Sequence, residues 1–245
     1  ARSASTRNYP VPEKGDFVFA PPDRPSVAIR GESARYPVRR IFCVGRNYAA
    51  HAREMGHDPD REPPFFFMKP ADAVTMDGNN IDYPPATSDL HHEIELVVAL
   101  SKGGADIPED QALDHVFGYT VGLDMTRRDL QGQAKEKGRP WDTGKGFDNG
   151  APVGALRTVA EVGHPTDARI WVNVNGEKRQ EGNINQMIWN VAETIAYLSG
   201  LFELQSGDLI MTGTPDGVAA VGPGDRLEGG VEGIATLSIA YNPKP

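Results

Sequence analysis

The chain consists of short apolar runs separated by glycine and proline, and this spacing constrains the fold more than any other feature. Its 245 residues include 27 glycines and 20 prolines, which are spread along the chain without an internal repeat. Short apolar runs that end at turn residues are typical of β-strands, whereas helices need longer periodic segments. Strands should therefore outnumber helices.

The predicted strands follow these apolar runs. They cover Asp16–Phe19, Ser26–Ile29, Arg40–Val44, Phe65–Met68, Glu93–Leu100, Val116–Asp124, Arg169–Val174, Leu209–Thr212 and Ile234–Ala240. The pair Asn175-Gly176 follows one of them, and both residues tolerate the positive φ angles of a two-residue hairpin turn. We therefore expect a hairpin after Val174.

Three segments have a helical pattern. They are Asn47–Met55, Thr126–Lys137 and Asn185–Ser199, and each is followed by a glycine that can end a helix. Because strands and helices do not alternate regularly, a Rossmann fold or a TIM barrel is disfavoured. We predict an α+β fold that is mainly β, with residues 1–37 as a small Pro-rich appendage and residues 38–245 as one catalytic domain.

Charge and composition limit the classes of partner. Twenty-five Lys and Arg against 34 Asp and Glu give a net charge of −9, the wrong sign for a nucleic-acid or anionic-membrane binder. No apolar run approaches the ~20 residues of a membrane span, and the first residues lack the apolar stretch of a secretory signal. Cys43 is the single cysteine, which favours a reducing compartment. We expect a cytoplasmic protein that binds a small molecule.

Two glutamates begin an otherwise apolar strand. Alternate strand residues share a face, so Glu93 and Glu95 should point to the same side as Val97 and Ala99. Carboxylates at the start of a buried face repel each other unless a cation lies between them, and a hard divalent cation is the usual one. The alternative is a solvated strand end with two surface glutamates. A zincin motif is excluded because Leu96 occupies the position of the second histidine.

The next strand ends in a third carboxylate. In Val116–Asp124 one face should carry Phe117, Tyr119, Val121 and Leu123, while small residues line the other face up to Asp124. Small residues beside a carboxylate leave room for a ligand, and a third carboxylate would complete an oxygen site for Mg²⁺ or Mn²⁺. The alternative is that Asp124 caps the following helix.

Three further segments contain groups suited to catalysis or to anion binding. If residues 47–55 are helical, His51 and Glu54 lie one turn apart and could form a general base, or merely a surface pair. Arg127, Arg128 and Lys145 could hold an anionic substrate, or the two arginines could belong to a solvated helix face. The stretch Gly144-Lys145-Gly146 lacks the spacing of a P-loop. The segment 212–217 offers hydroxyls to a carboxylate, or is an ordinary turn.

Six motifs, taken together and in order, resemble the fumarylacetoacetate hydrolase family over about residues 38–240. They are GRNYAAHAREMG (45–56), FMKP (67–70), the E-I-E strand, GLDMTRRDLQ (122–131), GKGFD (144–148) and TGTPDGV (212–218). Within the family the motifs are most similar to those of the hydrolases that cleave fumarylpyruvate in gentisate breakdown.

The resemblance implies a mixed β-sandwich roll, a homodimer and one Mg²⁺ or Mn²⁺ per chain. It implies metal ligands at Glu93, Glu95 and Asp124, and a lid helix in residues 45–56 that closes over the ligand and carries a His51–Glu54 dyad. The implied substrate contacts are Arg128, Gln131, Lys145 and Thr214, with Lys145 also counted as catalytic. The aromatic run 63–67 is a candidate for the dimer surface or for the core.

The implied reaction is cleavage of an acylpyruvate, a 2,4-diketo acid, by a water molecule that His51 and Glu54 activate. Lys145 would stabilise oxyanion charge, while Thr214 and Arg128 hold the pyruvate carboxylate. A fumaryl tail needs a further cation, for which the candidates are Arg46, Arg53, Arg139 and His57. Two alternatives stay open, namely an oxaloacetate decarboxylase of the same family and a metal-dependent binding module without turnover.

Overall fold

The computed structural model describes residues 17–48 and 62–243, and strands dominate them. The strands are β1 Ser26–Ala28, β2 Arg35–Pro37, β3 Arg40–Gly45, β4 Phe65–Lys69, β5 Val74–Met76, β6 Asn80–Ile81, β7 Leu90–His91, β8 Ile94–Leu100, β9 Val116–Leu123, β10 Thr126–Arg127, β11 Ala151–Val153, β12 Arg157–Thr158, β13 Arg169–Val174, β14 Glu177–Asn183, β15 Asp208–Met211, β16 Ala220–Val221, β17 Arg226–Val231 and β18 Ala235–Tyr241. The α-helices are α1 Glu109–Ala112, α2 Arg128–Glu136, α3 Asp142–Lys145, α4 Val159–Val162 and α5 Val191–Leu201, and short 3-10 helices cover Ala71–Ala73, Leu113–His115 and Ile184–Gln186. The predicted α+β, mainly β fold is confirmed.

A large mixed sheet and a second antiparallel sheet form the body of the fold. The large sheet has the strand order β4-β3-β15-β8-β9-β11-β5, and β12 joins β9 beside β11. The second sheet has the order β14-β13-β17-β18-β6, and a three-stranded sheet, β10-β7-β16, lies near the start of β8. Asn175 and Gly176, with φ angles of 52° and 81°, form the predicted hairpin turn between β13 and β14.

Strand β8 separates two hydrophobic clusters. Its residues Ile94, Leu96, Val98 and Leu100 pack in the larger cluster together with residues of the second sheet. Val97 and Ala99 pack on the opposite face, in the smaller cluster. The alternation expected from the sequence therefore holds along β8, and every residue of this strand is buried.

A β-bulge changes the alternation of the neighbouring strand. Ala99 pairs with Gly118 but Leu100 pairs with Val116, so Phe117 is the extra residue of β9. Phe117 consequently packs against the smaller cluster and contacts the Tyr36 ring at 5.5 Å. The prediction that Phe117 shares a face with Tyr119 was wrong, because a bulge shifts all residues beyond it to the other side.

Two predicted helices begin later than expected. Thr126 and Arg127 form β10, so the first of them starts at Arg128. The backbone N–H of Ile188 donates to the Asn47 carbonyl at 2.7 Å, and α5 starts only after Asn190, which caps it by accepting from the Glu193 N–H at 3.0 Å. Gly200 does not end this helix, which continues to Leu201. None of the helices in the described ranges is long and apolar enough to cross a membrane.

The N-terminal segment packs on the large sheet. Strands β1 and β2 pair with each other, and the Tyr36 hydroxyl donates to the Leu100 carbonyl at 2.8 Å. Phe17–Phe19 form a bend instead of the predicted strand, while Asp16 lies outside the described residues. The domain boundary at residue 37 stays a prediction.

Candidate active site

Antiparallel pairing of β8 and β9 brings three carboxylates together. Glu93 immediately precedes β8, Asp124 immediately follows β9, and the Asp124 N–H donates to the Glu93 carbonyl at 2.8 Å. Glu95 is paired with Gly122, where a Cβ would lie only 2.8 Å from a methyl group of Val97, so this position accepts only glycine. Carboxylate oxygens of Glu93, Glu95 and Asp124 lie within 4.8 Å of one another, and all three residues are buried. The predicted alternatives of surface glutamates and of an Asp124 helix cap were wrong, since α2 starts after Arg127 without a side-chain cap.

Three cationic side chains contact two of these carboxylates. The Lys145 ammonium lies 2.8 Å from Glu93 Oε2 and 2.7 Å from Asp124 Oδ2. The Lys69 ammonium lies 2.9 Å from Asp124 Oδ1, and the Arg128 guanidinium pairs with Glu93 Oε1. We call the three carboxylates, Lys69, Lys145 and Arg128 the floor of the site.

Glu93 and Asp124 are paired with cations but Glu95 is not, and the pKa values of Glu93 and Glu95 shift in opposite directions accordingly. Burial would raise the pKa of the Glu93 carboxyl, but the charges of Lys145 and Arg128 outweigh burial and lower it. Burial would lower the pKa of the Lys145 ammonium, but the charges of Asp124 and Glu93 raise it instead. Burial raises the pKa of the Glu95 carboxyl well above its ordinary value, and the charges of Asp124 and Glu93 raise it further.

The floor has the composition of a site for a hard divalent cation. Among the described residues, no Lys or Arg forms a salt bridge with Glu95, whose Oε2 accepts one hydrogen bond, from the Gly213 N–H at 2.7 Å. A buried carboxylate without a countercharge is costly. Carboxylate oxygens are the ligands that Mg²⁺ and Mn²⁺ prefer. A divalent cation on Glu93, Glu95 and Asp124 therefore fits the residues present.

The loop after β15 closes one side of the floor. Gly213 has a φ angle of 96°, and a Cβ there would lie 2.7 Å from the Asn47 Cβ, so a larger residue would not fit. This conformation points the Gly213 N–H at Glu95. The next residue, Thr214, is buried and lines the cavity above the floor.

The cavity extends from the floor along one face of α2. It is lined by Val44, Gly45, Arg46, Phe65, Phe67, Glu93, Glu95, Arg128, Gln131, Lys135, Trp141, Lys145 and Thr214. Arg128, Gln131 and Lys135 are spaced i, i+3 and i+7, so they share one helix face. At a rise of about 1.5 Å per residue, Lys135 lies roughly 10 Å along the helix from Arg128.

Aromatic rings connect the floor to the opposite end of this cavity. The Lys145 ammonium lies 4.8 Å from the Phe67 ring centre, and Phe67 contacts Trp141 at 5.7 Å. Trp141 contacts Phe65 at 5.5 Å. Lys135 lies 5.1 Å from the Trp141 ring and Arg46 lies 5.3 Å from the Phe65 ring. We call Arg46, Lys135, Phe65 and Trp141 the far end of the cavity.

The family of the chain follows from comparison with known proteins. Residues 40–240 match the model of the fumarylacetoacetate hydrolase C-terminal domain. The chain belongs to this family. A solved structure of fumarylpyruvate hydrolase from Pseudomonas aeruginosa, in complex with Mn²⁺ and pyruvate, is 55% identical, covers 94% of this chain and 100% of its own, and superposes with a TM-score of 0.91.

Two curated relatives have different activities. A fumarylpyruvate hydrolase from Ralstonia sp is 47% identical over 77% of this chain and 99% of its own length. A mitochondrial oxaloacetate decarboxylase from Dictyostelium discoideum is 44% identical over 81% of this chain and 91% of its own length. The predicted membership of the fumarylacetoacetate hydrolase family, with fumarylpyruvate hydrolases among the similar proteins, is confirmed. So is the prediction of an enzyme, a hydrolase of carbon–carbon bonds.

The structure brings most of the residues predicted for the site into this one cavity. Glu93, Glu95, Arg128, Gln131, Lys145 and Thr214 all line it, and Asp124 lies behind them, paired with Lys145. His51 and Glu54 lie outside the described residues, as do Arg53, His57 and the proposed lid apart from its first residues. Of the other two candidates for a distal cation, Arg46 lines the cavity and Arg139 lines a neighbouring one.

Several site residues were missed or left without a role by the sequence analysis. Lys69 stands in the FMKP motif, yet nothing in the sequence shows that its ammonium reaches Asp124. Lys135 could have been found by extending the Arg128 and Gln131 spacing by one helical turn. Gln180 carries no such signal, because its position under the loop 212–217 depends on a contact between two distant segments.

Proposed function

We propose that this enzyme hydrolyses an acylpyruvate with an anionic tail, and that fumarylpyruvate, cleaved to fumarate and pyruvate, is its substrate. The observation that carries the proposal is the pair of cations at the far end, Arg46 and Lys135. Both cations lie against aromatic rings, and among the described residues neither forms a salt bridge. The similarity to the fumarylpyruvate hydrolases of Pseudomonas aeruginosa and Ralstonia sp supports it.

The spacing of the cations along the cavity suits the length and charge of this substrate. Fumarylpyruvate carries one carboxylate beside a 2-keto group and a second one at the end of a conjugated tail. Arg128 and Lys135 lie roughly 10 Å apart along α2, which separates two anion sites by about the length of an extended diketo diacid. The flat aromatic wall of Phe65, Phe67 and Trp141 lies between them.

The floor would hold the pyruvate half. Glu93, Glu95 and Asp124 would hold a divalent cation, whose positive charge would favour the enolate form of the pyruvate fragment. Arg128 and Thr214 bind the adjacent carboxylate. Lys145 and Gln131, which line the same cavity, donate to oxygen charge that develops at the reacting carbonyl.

His51 and Glu54 would activate the water. The water oxygen attacks the C4 carbonyl carbon while His51 takes its proton. The C3–C4 bond then breaks, and its electron pair stays on the pyruvate fragment as an enolate. C4 becomes a carboxylate of fumarate, and C3 accepts a proton to give pyruvate.

Oxaloacetate decarboxylation is the second candidate, because a relative named for it has nearly the same identity as the Ralstonia enzyme. The two reactions share the enolate of pyruvate, but decarboxylation needs no attacking water. Oxaloacetate also lacks a tail long enough to reach from the floor to the far end. The cations of the far end therefore favour the acylpyruvate.

The test is a comparison of fumarylpyruvate, acetylpyruvate and oxaloacetate with Mn²⁺-loaded protein. We expect the highest kcat/KM for fumarylpyruvate. The His51→Ala variant should lose about 10²–10⁴-fold of the hydrolysis, the range for loss of a general base, but less of any oxaloacetate decarboxylation. Faster turnover of oxaloacetate than of both acylpyruvates would overturn the proposal.

A homodimer and a cytoplasmic location complete the proposal. Strand β4 is an edge strand of the large sheet, its Met68 is exposed, and the exposed Tyr197 packs against Phe66 of the same strand. The aromatic run itself is not an open surface, since Phe65 and Phe67 line the cavity. Light scattering at micromolar concentration should give twice the chain mass of 26.6 kDa, and a monomer would contradict this part.

A further inference from the structure

Gln180 is a buried amide with no role in the proposed reaction. Its strand β14 is mostly exposed, but Gln180 itself is only 1% exposed. The pairing with β13 skips a residue here, because Val172 pairs with Gln180 whereas Asn173 pairs with Lys178. A β-bulge of this kind redirects side chains. It turns Gln180 inward, underneath the loop 212–217.

The hydrogen bonds of Gln180 leave a single orientation for its amide. The backbone N–H of Ile94 can only donate, so the atom 3.1 Å away must be Oε1. The Pro215 carbonyl can only accept, so the atom 2.8 Å away must be Nε2. Oε1 also faces His92 Nδ1 at 2.8 Å, which places a proton on that nitrogen.

This orientation determines what the Thr214 hydroxyl can do. Gln180 Nε2 donates to Thr214 Oγ1 at 2.9 Å. Because Oγ1 is the acceptor in this bond, the proton of the hydroxyl must point elsewhere. Thr214 lines the cavity beside Arg128 and Gln131. Since the bond from Gln180 occupies one lone pair of Oγ1, the hydroxyl proton is available to donate into the cavity.

We propose that Gln180 is a positioning residue that fixes the Thr214 hydroxyl as a hydrogen-bond donor to the carboxylate of the bound pyruvate moiety. This rests on the proposed function, which places that carboxylate at Thr214 and Arg128. A carboxylate can only accept hydrogen bonds, so a hydroxyl with a fixed outward proton binds it without first having to reorient.

The test is a double-mutant cycle with pyruvate as the probe. Calorimetry on Mn²⁺-loaded protein gives the Kd of pyruvate for wild type, Gln180→Met, Thr214→Val and the double variant. We expect each single substitution to weaken binding about tenfold, as for a hydrogen bond to a charged group. The double variant should be little weaker than Thr214→Val alone, because the two residues act through one hydroxyl. Thr214→Ser keeps that hydroxyl and should recover most of the binding lost in Thr214→Val.

Two controls separate positioning from general damage. Gln186→Met changes an exposed glutamine just after β14, whose Oε1 accepts from the Asn183 N–H, and should leave the Kd unchanged. If Gln180→Met does not fold, Gln180→Glu keeps the acceptor for Ile94 but draws the Thr214 proton toward itself. It should weaken pyruvate binding as well.

Two results would overturn the proposal. One is unchanged pyruvate binding in the folded Gln180 variants. The other is a loss in Gln180→Met that is equally large with Val at position 214, which would mean that Gln180 acts only on the fold. These outcomes differ from a failure of the proposed function, in which wild-type protein binds pyruvate with the coupling described but cleaves no acylpyruvate.

Discussion

The floor and the far end of the cavity both contain cationic side chains, but only those of the floor are paired with carboxylates among the described residues. On the floor, Lys69, Lys145 and Arg128 each contact a carboxylate. At the far end, Arg46 and Lys135 lie against aromatic rings, and no described carboxylate pairs with them. The floor is thus close to neutral before a ligand binds, whereas the far end is positive.

This difference assigns the two ends different tasks. On the floor the cations pair with Glu93 and Asp124 and hold them in place, so that among the described residues Glu95 is the floor carboxylate without a salt bridge. At the far end the nearby charges of Arg128 and Arg46 add to burial in lowering the pKa of the Lys135 ammonium. A carboxylate arriving there would relieve that repulsion. Chemistry is thus expected from the floor, and substrate choice from the far end.

The largest effect should follow removal of a floor carboxylate. Asp124→Asn leaves Lys69 and Lys145 without their shared partner and removes one proposed metal ligand. We expect a rate loss of about 10³-fold or more for every substrate, equivalent to the several kcal/mol that a catalytic metal supplies. Mn²⁺ titration and rates on fumarylpyruvate and oxaloacetate measure it. Asp114→Asn, at an exposed site, is the control, and substrate-selective loss in Asp124→Asn would contradict the division of tasks.

A smaller loss should follow removal of a floor cation. Lys69 is 1% exposed, and its ammonium also donates to the Met125 carbonyl at 2.9 Å. Lys69→Met keeps the length of the side chain but no longer holds Asp124 in place. Residues that orient a metal ligand typically contribute 10–100-fold to metal affinity or activity, so we expect about that loss in Mn²⁺ affinity. Lys102→Met, on the surface, should bind Mn²⁺ normally, and normal affinity in Lys69→Met would mean that Asp124 needs no positioning.

The far end should affect one substrate and not the other. In Lys135→Met we expect kcat/KM for fumarylpyruvate to fall about tenfold, which is the typical value of a charged hydrogen bond. Acetylpyruvate, which lacks the tail carboxylate, should be cleaved as by wild type. Lys137→Met, at the end of the same helix, is the matched control. An equal loss of kcat/KM on both acylpyruvates would show that Lys135 contributes to the chemistry rather than to the choice of substrate.

The sequence predicted the carboxylate site better than the cations around it, for a physical reason. Glu93, Glu95 and Asp124 stand at strand ends, and the alternation of a strand determines which face each side chain takes. Lys69 and Lys135 reach the site through long flexible side chains, whose direction depends on what packs beside them. Periodicity in the sequence carries no information on that.

The predicted element boundaries were wrong where a contact with a distant segment overrode the local conformational preference of the residues. The segment 185–189 has a helical pattern, but Asn47 binds the backbone of Ile188 and Trp189 and keeps it out of the helix. Phe117 lies on the face opposite to the predicted one because of a β-bulge, for which the sequence of β9 gives no signal. Turn chemistry, by contrast, is local, and the hairpin at Asn175-Gly176 was predictable from two residues.

The smallest effect is expected on the thermal stability of the metal-free protein. It differs in sign between two glutamates of the floor, Glu95 and Glu93. The pKa of Glu95 is raised by burial and then by Asp124 and Glu93, so the folded chain favours its protonated form. That contribution to stability is present below the ordinary pKa of about 4.5 and is lost as pH rises through the raised value. Glu95→Gln mimics the protonated form at every pH. It should therefore raise the Tm of metal-free protein near neutral pH by a few degrees, since about 1 kcal/mol shifts the Tm of a chain of this size by about 2–4 °C.

Glu93→Gln is the matched variant with the opposite sign. The pKa of Glu93 is lowered because Lys145 and Arg128 outweigh burial, so its charged form stabilises the fold above the ordinary pKa of about 4.5. Removing that charge leaves the buried Lys145 and the partly buried Arg128 short of a partner and should lower the Tm near neutral pH. Added Mn²⁺ should raise the Tm of wild type but of neither variant, because each lacks a ligand. Calorimetric scans of the three proteins between pH 5 and 8, with Mn²⁺ and with chelator, measure both signs. If Glu95→Gln lowers the Tm as Glu93→Gln does, Glu95 already has its countercharge without metal, and the floor is not built around an added cation.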